Sequence, residues 1–174
     1  MAELVVTAVG TDRPGIVAAV AEVLRDTGGN VADSAMTILG GRFAIMLLVE
    51  TGLDPDGLRD ALDRGTGNLG LTVAVTEAAR GGAASEPTHV LSVYGADRPG
   101  LLAGAGRVLA DLDVNITDLS TRVLPPADHP VYAMVLEVAL PDALDAAALE
   151  SALVELGDEI GVDHTLRPLQ TETY

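Results

Sequence analysis

Apolar positions along the chain fall into short runs of two periods, and the periods alternate. Leu4 to Val9 is a β-branched run closed by Gly10, which predicts a strand. Apolar residues on both of its faces predict a central place in a sheet. Ile16, Val20, Val23 and Leu24 follow at helical spacing. Pro14 suits the first turn of that helix and Gly28-Gly29 its end. Asn30 to Leu39 interleaves polar and apolar residues as a second strand, and Gly40-Gly41 makes a hairpin turn. Arg42 to Glu50 is almost continuously apolar, the pattern of a strand covered on both faces. Asp54-Pro55 opens a second helix through Leu58, Ala61 and Leu62, whose end Gly65 and Gly67 weaken. Leu69 to Thr76 completes the set as a fourth strand.

The same order then returns. Arg80 to Pro87 has linker composition. Val90 to Tyr94 reads as a strand, and Leu101, Ala105, Val108, Leu109 and Leu112 mark a helix. Asp113 to Leu124 contains a strand, and Pro125 to Pro130 is a longer hairpin loop. Val131 to Leu140 is a strand, Leu144 to Leu156 a helix and Ile160 to Leu166 a strand. The reading places one domain at 1–79, a linker at 80–87 and a second domain at 88–174.

The repeat reaches individual residues. Gly10-Thr11-Asp12-Arg13-Pro14-Gly15 returns as Gly95-Ala96-Asp97-Arg98-Pro99-Gly100, and Asn30-Val31-Ala32-Asp33 returns as Asn115-Ile116-Thr117-Asp118. Both blocks hold one offset, 97 − 12 = 115 − 30 = 85 residues. The chain is thus two copies of one module. Each copy reads β-α-β-β-α-β, a ferredoxin-like α+β arrangement. Right-handed crossovers put both helices on one face of an antiparallel sheet of order 4-1-3-2. The helix-free face is too apolar to stay wet, so it is expected to be covered by the other module or by another chain, with a homodimer as the outcome.

A strand, a glycine turn and a helix start leave backbone N–H groups pointing outward, which attracts an anion such as the carboxylate of a small molecule. Glycine at 15 and 100 allows close approach of a ligand to the backbone. Asn30 and Asn115 offer side-chain amides, and Asp33 and Asp118 are candidate partners for an ammonium. Plainer roles compete with these. Asp12 and Asp97 are candidate helix caps. Arg13 and Arg98 suit a solvated or Asp-paired role. Asn30 and Asn115 suit turns after a helix, and Asp33 and Asp118 suit the wet side of an outer strand.

Composition narrows the function. The chain has no Cys, which excludes disulfides and thiolate chemistry and is compatible with a reducing compartment. The net charge of −16 argues against nucleic acid as a direct partner. His89, His129 and His164 have no metal-ligand spacing, so neither metal nor cofactor is expected. The Met1-Ala2-Glu3 start leads straight into a strand, and no apolar run approaches a membrane span, so the expected location is cytoplasmic, away from membranes. An acylphosphatase on this fold uses an Arg after the first strand and an Asn on the third, but Ala44 to Val49 and Tyr132 to Val138 contain no Asn. An RNA-recognition module needs aromatics on the central strands and basic charge; Phe43 and Tyr132 do not suffice.

The doubled Asp-Arg-Pro-Gly turn, the Asn fifteen residues beyond it and the β-α-β-β-α-β order together resemble the ACT domain, over essentially the whole chain, twice. A free-standing pair without an attached enzyme resembles the glycine cleavage system transcriptional repressor group. The resemblance implies a non-enzymatic regulator that binds a small amino acid, glycine or serine. It implies action through a protein partner, either a transcription regulator or an enzyme. In ACT domains the ligand usually lies between the first turn of one module and the start of strand two in its neighbour. Carried over, this gives Asp12, Arg13, Pro14, Gly15 and Ile16 with Asn30, Val31 and Asp33, and Asp97, Arg98, Pro99, Gly100 and Leu101 with Asn115, Ile116 and Asp118. The alternative is a dimerisation or allosteric module for an amino-acid metabolic enzyme.

Overall fold

The computed structural model describes residues 2–79, 85–124 and 131–169. Residues 80–84 of the expected linker and the expected hairpin loop at 125–130 lie outside the described residues. The chain divides into two compact units, Met1–Gly82 and Ala83–Tyr174.

Unit one runs β1 (Ala2–Thr11), α1 (Ile16–Asp26), β2 (Asn30–Leu39), β3 (Arg42–Thr51), α2 (Pro55–Thr66), a 3-10 turn at Gly67–Leu69, and β4 (Thr72–Glu77). Unit two runs β5 (His89–Ala96), α3 (Leu101–Asp111), β6 (Asn115–Leu124), β7 (Val131–Ala139), α4 (Ala146–Ile160) and β8 (Val162–Pro168). Each unit is βαββαβ with one antiparallel four-stranded sheet, in the order β2-β3-β1-β4 and β6-β7-β5-β8. The two strands read as apolar on both faces are the central ones in each sheet.

In unit one, the core lies where α1 and α2 cover the sheet. Leu4, Val6 and Ala8 of β1 alternate inward with Phe43, Ile45, Leu47 and Val49 of β3, and meet Ile16, Val20 and Leu24 of α1 and Leu58 and Leu62 of α2. In unit two, Leu91 and Val93 meet Met134, Leu136 and Val138 beneath Ala105 and Leu109 of α3 and Leu149, Leu153 and Leu156 of α4. The two core clusters share no residue. The opposite, helix-free face still carries apolar side chains: Met46 and Val135 are both exposed.

Two local expectations are corrected. Strand four starts at Thr72, not Leu69, because the 3-10 turn and a left-handed Gly70 intervene. Pro14 precedes the helix: α1 begins at Ile16, behind a left-handed Gly15. Gly65, the penultimate residue of α2, also has a packing role: it lies at a close crossing with α1. A Cβ placed on it would lie 2.2 Å from Val23 Cγ2. Val23 is stiff and branched, so the helices would have to part. Gly65→Ala is therefore expected to cost about 1–3 kcal/mol, as overpacking does, read as a lowered midpoint in denaturant.

Candidate functional site

The turn between the first strand and first helix is built alike in both units. Gly15 has φ 94° and Gly100 has φ 101°, a conformation that favours glycine. Nothing stands within 4 Å of where a Cβ would be at either position, so φ and not space selects glycine there. Each glycine is the N-cap of its helix and provides no side-chain cap; neither helix has an acidic residue in its first turn. Asp12 and Asp97 therefore do not cap these helices. Asp12 instead donates its backbone N–H to the carbonyl of Gly41, 2.9 Å away. The second helices are built otherwise. Asp54 caps α2 by accepting from Gly57 N at 2.9 Å, and Asp145 caps α4 by accepting from Ala147 N at 3.0 Å. A helix start without a capping oxygen leaves its first N–H groups for solvent or a ligand.

The remaining predicted residues fall in distinct places. Asp12, Arg13, Pro14 and Gly15 are exposed, as are Asp97, Arg98, Pro99 and Gly100. Ile16 and Leu101 are buried core residues, so only their backbone N–H faces the turn. Among the described residues Arg13 is paired with no Asp; its Nη2 donates to the carbonyl of Leu69.

Asn30 and Asn115 are exposed at the first positions of β2 and β6. A β-bulge follows each, between Val31 and Asp33 and between Ile116 and Asp118. Strand alternation alone would put residues three apart on opposite faces. The extra residue, Ala32 or Thr117, restores phase. Asn30 and Asp33 thus oppose Glu50 and Leu48 and share the helix-free face, as do Asn115 and Asp118. Val31 and Ile116 turn to the helix side, where Ile116 joins the core. Asp33 Oδ1 accepts from Ser34 N at 2.7 Å and borders a shallow groove of 190 Å³ with Val5, Met46 and Leu48.

Within one unit the turn and the asparagine do not meet. β1 and β2 are both antiparallel to β3 and so run the same way. The first turn leaves the end of β1, whereas Asn30 starts β2, level with Glu50 and Glu3. From Glu3 to Thr11 is about 26 Å at the usual rise per residue. Unit two repeats this separation: Asn115 pairs with Ala139, beyond the His89 end of β5. A single-module site made of Asp12 with Asn30, or Asp97 with Asn115, is excluded by strand direction.

Among the described residues, no group of three or more His, Asp or Glu could hold a metal ion, and no helix is long and apolar enough to cross a membrane.

Two βαββαβ units, each with an uncapped glycine turn at its first helix, define a tandem ferredoxin-like α+β protein. The chain belongs to the ACT domain family, whose models match residues 2–76 and 89–158. It is similar to the glycine cleavage system transcriptional repressor of Escherichia coli, 26% identical over 94% of this chain and 88% of that one. It is also similar to phosphoserine phosphatase SerB2 of Mycobacterium tuberculosis, 31% identical over 92% of this chain but only 39% of that enzyme. Among solved structures it resembles a protein of Galdieria sulphuraria, with a TM-score of 0.84, 30% identity, and 97% and 99% of the two chains covered.

Proposed function

We propose that this chain is an amino-acid-sensing regulator that binds a small amino acid, glycine or serine, at its first-helix turns. It passes the signal on to a protein partner and not to nucleic acid directly. The observation that carries the reading is the contrast in capping. In both units the second helix is closed by an aspartate, and the first is left open behind a left-handed glycine. Open N–H groups at a helix start suit a carboxylate. Asn30 with Asp33, and Asn115 with Asp118, pair an amide with a carboxylate on one face, which suits an ammonium.

Because turn and asparagine lie at opposite ends of a unit, a complete site takes the asparagine from a neighbouring module. A homodimer supplies one. Antiparallel pairing of β2 with β2 of a second copy would bring the start of each strand to the turn end of its partner. β2 is a sheet edge, and its Met36 and Ile38 are both 52% exposed on the helix side. An open ladder beside exposed apolar side chains favours such pairing. Similarity to the Escherichia coli repressor and the chain's acidity support a regulatory, intracellular role with a transcription regulator or a metabolic enzyme as partner. The match covering little of SerB2 supports the second option, a regulatory module serving an amino-acid enzyme.

Asn30→Ala and Asn115→Ala are each expected to remove hydrogen bonds worth about 0.5–1.5 kcal/mol, a two- to tenfold loss of affinity. Calorimetry with glycine and serine reads this. Both residues are exposed at strand starts, so the fold is retained. Unchanged affinity in both variants would move the site elsewhere.

A further inference from the structure

Each first-helix turn lies against the junction that leads into the fourth strand, and the close glycine approach is built the same way twice. At the end of β1, a Cβ on Gly10 would lie 2.6 Å from Leu71 Cδ2 and 3.3 Å from the Gly70 carbonyl oxygen. At the end of β5, a Cβ on Gly95 would lie 2.6 Å from Val162 Cγ1 and 3.5 Å from the Gly161 oxygen. Only glycine lets the two segments approach so closely. Gly70 and Gly161 are themselves left-handed, with φ 64° and 58°. An arginine of the turn reaches each of them. Arg13 Nη2 donates to the Leu69 carbonyl, and the atom nearest to a Cβ on Gly70 would be that same nitrogen, at 3.8 Å. Arg98 Nη2 would be 3.5 Å from a Cβ on Gly161.

From this geometry we infer that Arg13 is a positioning residue that clasps its turn to the left-handed glycine ahead of strand four, and that Arg98, whose guanidinium lies beside Gly161, is placed to do the same in unit two. The inference rests on the proposed amino-acid-binding function and refines it: these arginines orient the open N–H groups and do not themselves hold the ligand. A guanidinium suits the task. It stays charged, reaches far and carries five donors, so it can hold a backbone carbonyl from an exposed turn. Hydrogen bonds from charged donors are also the stronger ones. The clasp ties the ligand-binding turn to β4 and β8, which are sheet edges, so a change at the turn is felt at an edge open to a partner.

Hydrogen exchange tests the clasp without any ligand. Asp12 N–H bonds to Gly41 O and Ala19 N–H to Gly15 O at 2.9 Å each, and Gly104 N–H to Gly100 O at 2.8 Å. Arg13→Ala in the full chain should speed exchange at Asp12 and Ala19 about tenfold, the size of one charge-assisted hydrogen bond. Amides of the β1–β3 ladder should be unchanged, and Arg13→Lys should restore much of the protection. Gly70→Ala, which disturbs the far side of the clasp, should produce the same pattern at Ala19. Arg98→Ala should act at Gly104. Glycine affinity should fall with Arg13→Ala and recover with Arg13→Lys. Unchanged exchange at Asp12 and Ala19, or an equal rise across the whole unit, would overturn the clasp. If the exchange pattern appears but no amino acid binds the unaltered chain, the sensing role fails and the clasp stands.

Discussion

Phe43→Ala will destabilise unit one by about 3–5 kcal/mol, the usual cost of emptying a buried aromatic site. Phe43 is the chain's single Phe and is only 2% exposed. It sits on β3 at the pairing level of Gly10 and faces the helix-covered core of unit one. The neighbours that would have to close the cavity are aliphatic residues of β1, β3, α1 and α2, held in a regular sheet and two helices. They can collapse only partly. A unit of this size has a total stability of the same order, so much of unit one should be unfolded at ambient temperature. Amide exchange in β1 and β3 is the readout. Retained protection there would show that Phe43 is not a core anchor.

A valine at the first-helix turn should have the second largest effect, for a different reason. At Gly15, φ 94° is costly for a branched residue, about 1–3 kcal/mol, although no atom obstructs the new side chain. The strain can be relieved only by rotating the turn, and rotation reorients the N–H groups of Ile16 and Val17. Gly15→Val should therefore lower stability modestly and amino-acid affinity by more than tenfold. Gly100→Val should do the same in unit two, where φ is 101°. The thermal midpoint and a calorimetric titration separate the two effects. Full affinity with lowered stability would mean that the turn is structural only.

Much of the fold was legible in the sequence because the repeat and the two periods agree. β2 begins at Asn30 and ends at Leu39, and the order of strands follows from two-sided apolarity of the first and third. The capping of the first helix was not legible. Asp12 and Pro14 look like a cap and a first turn, yet the chain needs a left-handed glycine there, and the helix starts one residue after it. Nor was the bulge: it adds one residue without a sequence mark, and it decides that Asn30 and Asp33 share a face. The junction glycines escaped for a third reason. Gly70 and Gly161 break the 85-residue offset because residues are added ahead of α4: the caps Asp54 and Asp145 already differ by 145 − 54 = 91, as do the glycines, 161 − 70 = 91. Their equivalence appears only in three dimensions, through the arginines that reach them. The separation of turn from asparagine follows from strand direction, which the βαββαβ order already contains.

The most direct test of amino-acid sensing is a calorimetric titration of the full chain with each common amino acid in turn. Binding of a small amino acid such as glycine or serine, in the millimolar range or tighter, with affinity lost in the Gly15→Val, Gly100→Val double variant, is the predicted result. No binding by any amino acid at millimolar concentration, or binding that the double variant leaves untouched, would contradict it.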